Sequence, residues 1–231
     1  VPRPGLLNGM DGQTPAAPAA PALFVAAPGV RVVLASASPR RRELLASWGL
    51  PFTVLTAPDE EEPRPAAGED AAAYALRAAR SKAGRVRSLL PSGEASASLV
   101  IAADTVVCLD GRILGKPRDS AEALAMLEQL AGRTHSVTSA VALRLPKSWP
   151  GPHEEGLTDT ARVTFADWPR AVLEAYARTG EPDDKAGAYA VQGRGAFLAE
   201  RLDGAWSTVV GLPLTPLAAL LLGRGLIRPA A

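Results

Sequence analysis

Residues 31–45, RVVLASASPRRRELL, constrain this chain more than any other stretch. Val32, Val33 and Leu34 form an apolar, partly β-branched run of the kind that becomes a buried strand. Ser38 is a good N-cap, and Pro39 has the fixed φ suited to a first helical position, so the strand is expected to turn straight into a helix. Arg40, Arg41 and Arg42 then fall in the first helical turn. That end of a helix carries partial positive charge and unpaired N–H groups, so cations there repel the dipole and one another. A bound polyanion relieves the conflict, because free N–H groups and guanidinium forks both bind phosphate oxygens. A solvated basic helix end, paired with Glu43 and other surface acids, is the plainer reading of the same residues. The downstream sequence tips the balance toward the polyanion.

Phosphate chemistry needs cations, a base for water and hard oxygen ligands for a divalent metal, and the rest of the chain supplies them in separate pieces. Residues 69–90 read as a helix with Ala72, Leu76, Ala79, Ala83, Val86 and Leu90 at helical spacing, and Lys82 lies at the edge of that stripe. Residues 99–103 are a continuous apolar run, as in a strand covered on both faces, with Asp104 and Thr105 at its expected C-terminal end. A carboxylate so placed is retained when it is paired, metal-bound or functional; an aspartate capping a loop is the alternative. Asp110-Gly111 marks a hairpin turn, and Gly115-Lys116-Pro117 follows it. That stretch is not a P-loop, since the spacing is one short and Pro117 replaces the magnesium-binding hydroxyl. Acidic residues 59–62 include Glu61, and a run like this is ordinarily solvated surface. Residues 119–131 and 169–179 read as helices, and 134–145 and 158–165 as strands. The Gly-rich stretch 183–197 carries Asp184, Lys185, Gln192 and Arg194. Residues 197–210, around Asp203-Gly204, read as a second hairpin, and 213–222 as a closing helix. His135 opens a strand and reads as a structural or solvated residue rather than a ligand.

Composition removes other classes. A net charge of +1 and 5% aromatic residues argue against stable nucleic-acid binding. Two histidines and one cysteine, Cys108, cannot build a closed zinc site or an internal disulfide, so a reducing, cytoplasmic location is expected. No apolar run is long enough to span a bilayer, so no membrane partner is expected. Residues 1–29 are rich in Ala, Pro and Gly, and prolines at 15, 18, 21 and 28 interrupt what would be a signal-peptide core. They read as a disordered extension ahead of one domain over residues 30–228.

Six pieces occur in order: SASPRRRELL at 36–45, ADTVV at 103–107, GKP at 115–117, GRTHSV at 132–137, DKAGAYAVQG at 184–193 and VVGLPL at 209–214. Together they resemble the Maf family of nucleotide pyrophosphatases. The resemblance implies an α/β fold with an elongated, twisted mixed β-sheet flanked by helices, and two lobes with a central cleft like that of inosine triphosphate pyrophosphatases. It implies hydrolysis of nucleoside triphosphates to the monophosphate and pyrophosphate with a divalent metal cation, Mg or Mn. In the family the aspartate of the A-D-T motif is the proton acceptor, here Asp104. The branch preferring dTTP and UTP has specificity positions falling on Arg40, Thr105 and Gln192; the sister branch acting on 7-methyl-GTP has Trp after the proline. Val191 stands where Ile is usual, and Asp183 where an apolar residue is common. On this reading Ser36, Arg40, Arg41, Lys82, Lys116 and Lys185 bind phosphate, and Glu61 and Asp104 hold the metal. A nucleoside triphosphate is the expected substrate, and the resemblance alone admits a homodimer. House-cleaning of non-standard nucleotides and growth arrest by dTTP/UTP turnover both fit this activity. The alternative function is a non-catalytic regulator of septum formation that acts by protein binding.

Overall fold

The computed structural model describes residues 21–58, 63–66 and 68–231. Its frame is one long strand, β4 (Ser98–Leu109), with helices on both faces of the sheet around it. Strands β2 (Arg31–Leu34) and β3 (Thr53–Val54) join on one side in parallel. On the other side β6 (Thr134–Arg144), β7 (Glu154–Phe165) and β8 (Ala199–Asp203) follow antiparallel. The sheet is therefore mixed, in the order β3-β2-β4-β6-β7-β8, with β5 (Arg112–Leu114) folded back on the end of β4. Asp110 and Gly111, both at positive φ, make the turn between β4 and β5, as an Asp-Gly hairpin should.

Alternation along β4 sorts the core. Val100, Ala102 and Val106 face helix α2 (Ala71–Leu89), whose buried stripe is Tyr74, Ala75, Ala78, Ala79, Ala83 and Val86. The alanines let the helix lie close to the sheet, so a long side chain from its edge can reach the strand. On the opposite face Leu99, Ile101 and Ala103 pack under α1 (Pro39–Ala46) and α7 (Leu214–Gly223). Further along that same face Val107 and Leu109 join a second cluster, under α4 (Ser120–Leu130) and α5 (Arg170–Ala177). The two clusters are the cores of two lobes. Thr105 stands between them on one face, and Asp104 interrupts the apolar run on the other.

Three expectations are corrected. The strand carrying Asp104 does not end there; it runs on to Leu109. What ends is its parallel neighbour: β2 pairs with β4 only as far as Leu34 opposite Ile101, and β5 takes over at Val107. Between those registers no strand among the described residues pairs with this side of β4, and the cleft lies against that gap. The second hairpin is absent: after β8 the chain enters a short helix, α6 (Trp206–Val210). Residues 24–26, expected within a disordered extension, form β1 (Phe24–Ala26), antiparallel to β9 (Ile227–Pro229). Phe24 also stacks edge-on against buried Trp48, which ties this ribbon to the α1 side of the core. A short helix α3 (Ser92–Ala97), not foreseen, precedes β4. No helix among the described residues is long and apolar enough to cross a membrane.

Candidate active site

A cleft of about 1040 Å³ opens beside the gap in β4, between the two lobes. Its lining draws together Ser36, Arg40, Arg41, Lys82, Asp104, Thr105, Lys116, Lys185 and Gln192, every candidate position that lies among the described residues. The remaining one, Glu61, lies outside them.

Asp104 is 6% exposed, yet it borders the cleft. Its Oδ1 accepts from Lys82 Nζ at 2.5 Å. The helical spacing that put Lys82 at the margin of the α2 stripe is what aims it at the sheet. A carboxylate this buried needs such a partner. The ammonium also offsets the negative charge that would otherwise repel an anionic ligand.

Thr105, next along the strand, projects to the other face. There Arg41 donates from Nη2 to Thr105 Oγ1 at 3.0 Å and from Nε to the Gly211 carbonyl at 2.8 Å. Gly211 has φ +120°, and a Cβ on it would sit 3.1 Å from Thr105 Oγ1 and 3.3 Å from Arg41 Nε. A side chain at that position would therefore be strained by its backbone and crowd this contact. Behind Thr105 a polar chain leads into the sheet. Thr105 Oγ1 and Ser139 Oγ are 2.8 Å apart, and Ser139 donates to the Thr208 carbonyl at 2.7 Å. The Thr208 hydroxyl in turn donates to Asp159.

Strand β2 delivers its C-terminal end to the cleft, and the loop after it carries Ser36 and Ser38. Ser36 Oγ accepts from the Ser38 N–H at 3.2 Å, and Ser38 caps α1 by accepting from the Arg41 N–H at 3.4 Å. No acidic residue stands in the first turn of α1. The basic helix end inferred from sequence is thus real, and it meets an acid from across the cleft: Arg40 Nη2 lies 3.8 Å from Asp184 Oδ2.

The far wall is the Gly-rich stretch. Lys185 Nζ donates to Asp184 Oδ1 at 2.6 Å and to the Glu181 carbonyl. Burial raises the Asp184 carboxyl, but the Lys185 hydrogen bond and the charges of Lys185 and Arg40 hold it below the ordinary value. Glu181 clasps the loop around Gln192, accepting from the N–H groups of Arg194 at 3.0 Å and Gly195 at 3.1 Å and from the Tyr176 hydroxyl at 3.2 Å. Burial raises this carboxyl too, and those donors outweigh it and hold it low. Lys116, exposed on the loop after β5, faces this wall from the side of the hairpin; the Gly187 N–H donates to the Gly115 carbonyl beside it at 3.0 Å. Below the wall, Tyr189 shares a 2.7 Å hydrogen bond with His135 Nε2, and burial lowers the imidazole to about 4. Of the structural and solvated readings of this histidine, its burial matches the structural one.

Sequence reasoning passed over Ser139, Thr208, Asp159 and Glu181. Glu181 sits only three residues before Asp184-Lys185 and could have been noticed. The other three meet through strand register and a helix read as a strand, which no local pattern reveals.

No cluster of three or more His, Cys, Asp or Glu fit to hold a metal occurs among the described residues. A closed protein cage is therefore not built from them. One buried carboxylate beside a wide, cation-lined cleft does suit a hard divalent ion that takes its other ligands from substrate phosphates and water.

The sequence matches the family described as Maf-like protein over residues 31–223. A dTTP/UTP pyrophosphatase of Nitratidesulfovibrio vulgaris is 48% identical over 196 residues, 85% of this chain and 89% of that protein. One from Myxococcus xanthus is 51% identical over 198 residues, covering 86% and 94%. Among solved structures, a nucleoside-triphosphatase (dITP/XTP pyrophosphatase) of Mycobacterium abscessus shares 18% identity at a TM-score of 0.39, covering 85% of this chain and 96% of that one.

Proposed function

This chain belongs to the Maf-like protein family, and from that premise we propose that it is a nucleoside triphosphate pyrophosphatase hydrolysing dTTP and UTP to the monophosphate and pyrophosphate. The observation that carries the mechanism is the Lys82–Asp104 pair at 2.5 Å, seated in a cleft that Arg40, Lys116 and Lys185 also line. A triphosphate carries its charge over several oxygens, and cations arriving from four separate elements can meet it along its length.

In the proposed reaction a water oxygen bonds to the α-phosphorus while the α–β bridging bond breaks, and pyrophosphate leaves with that electron pair. Asp104 takes the proton lost by the water. Its Oδ1 is engaged by Lys82, so Oδ2 is the oxygen assigned to this role. A divalent cation held by Asp104 and Glu61 would supply charge neutralisation at the phosphate oxygens. Lys185 is pre-positioned by Asp184 and by the Glu181 carbonyl, so its ammonium is fixed before the leaving group develops charge. Thr105 and Gln192 are assigned to the pyrimidine edge. So few polar contacts imply tolerance of modified uridine nucleotides.

The regulator reading is not favoured, because a surface that works by protein binding alone has no need of a buried, ion-paired carboxylate bordering a cleft. A nucleotide panel with one divalent metal, scored for monophosphate and pyrophosphate, tests the proposal. Release of pyrophosphate from dTTP and UTP is expected. Release from no nucleotide would refute the enzyme and restore the regulator.

A further inference from the structure

The hydrogen bonds behind the cleft leave Thr105 only one thing to offer a ligand. Arg41 can only donate, and its Nη2 is 3.0 Å from Thr105 Oγ1. The Thr208 carbonyl can only accept, and Ser139 donates to it at 2.7 Å. A serine hydroxyl has one proton, so Ser139 Oγ must be the acceptor in its 2.8 Å contact with Thr105. Thr105 is then the donor there, and its single proton is committed to the interior. Of its two lone pairs, one already takes the Arg41 N–H. What is left is one acceptor. Ser139 is fully buried, and its carbonyl partner sits on α6, whose Thr208 hydroxyl is anchored to Asp159.

We propose that Ser139 acts as a positioning residue that fixes the polarity of Thr105, and that this polarity selects pyrimidines whose N3 carries a hydrogen. The inference rests on reading the cleft as a pyrimidine triphosphate site. Uracil and thymine present N3–H, a donor that meets the remaining lone pair of Thr105. Cytosine presents a bare N3, so two acceptors face each other and neither is satisfied. Gln192 cannot make this distinction alone, because an amide can turn to offer either its oxygen or its nitrogen. The hydroxyl of Thr105 cannot turn while Ser139 holds its proton.

The test is kcat/KM for UTP and for CTP, with one metal, on the wild type, Ser139→Ala, Ser139→Thr and Thr105→Val. Ser139→Ala releases the Thr105 proton, which is then free to donate to cytosine N3. The UTP-to-CTP ratio should fall about tenfold, mainly by a gain with CTP. Ser139→Thr, which returns the hydroxyl, should restore the ratio. Thr105→Val keeps the shape without donor or acceptor; it should lose efficiency with UTP and gain none with CTP, and it carries the test if Ser139→Ala does not fold. A purely structural Ser139 would lower both substrates together. An unmoved ratio in either Ser139→Ala or Thr105→Val, with UTP still hydrolysed, overturns this inference alone. A wild type releasing pyrophosphate from no nucleotide overturns the functional reading, and this inference with it.

Discussion

Replacing Lys82 by methionine removes the ammonium from Asp104 and keeps most of the side chain's length. The two charges approach to 2.5 Å, with the side chain of Lys82 19% and that of Asp104 9% exposed. At an effective dielectric of 20, the attraction at that separation is about 6–7 kcal/mol. Drawing both ions out of water takes most of this back, so the intact pair adds little net stability. Breaking it is a different quantity, because Asp104 is left charged and nearly buried without its partner. Removing one member of such a pair costs about 3–5 kcal/mol, and the solvent still touching Lys82 places this one near 3 kcal/mol. For a domain of this size the midpoint of thermal unfolding should fall by roughly 6–12 °C. Adding Asp104→Asn to Lys82→Met should recover most of the loss, since the stranded charge is gone. Urea unfolding of both single variants and the double gives the comparison. A Lys82→Met change below about 0.5 kcal/mol, or a double variant less stable than Lys82→Met alone, would refute the reasoning about burial of Asp104.

Three shorter predictions follow from other parts of the fold. Burial lowers His135 from 6.5 to about 4, so between those values the unfolded chain binds the extra proton and the folded one does not. The stability from keeping this histidine neutral is complete above its unfolded value and is lost as the pH falls, by about 3 kcal/mol in all; stability curves for His135→Gln should be flatter than wild type over that range. Gly204 has φ +123°, and a Cβ there would lie 2.8 Å from Ala161 Cβ, so Gly204→Ala should destabilise the β7–β8 edge by about 2–3 kcal/mol in chemical denaturation. Lys185→Ala should raise KM for UTP at least about tenfold while the melting temperature shifts little, because its partners Asp184 and the Glu181 carbonyl stand at the cleft wall.

Much of the fold was legible because local chemistry and tertiary demand agree in it. Ser38-Pro39 starts α1, Asp110-Gly111 makes the hairpin, and Asp119 caps α4 by accepting from the Glu122 N–H. Where local preference and packing disagree, the sequence misleads. Residues 206–210, with Thr208, Val209 and Val210, carry β-branched side chains of strand type, yet they form α6. As a helix the segment buries Thr208 and Val210, and the Thr208 carbonyl receives Ser139. Strand β1 was missed because its partner, β9, lies at the other end of the chain. The candidate site shows the same division. Residue types announced Asp104 and the scattered cations. The gap that exposes Asp104 depends on where β2 stops pairing, and the chain behind Thr105 depends on the register of β4 against β6. Neither is written in any short stretch.

The central claim is that Asp104 takes the proton of a water attacking a triphosphate held in the cleft. It is tested most directly by measuring UTP turnover and UTP binding separately in Asp104→Asn, which removes the base and leaves the shape of the side chain. The account predicts that kcat falls by about 10²–10⁴-fold while the dissociation constant for UTP changes by no more than a few-fold. An Asp104→Asn enzyme turning over at the wild-type rate would contradict it.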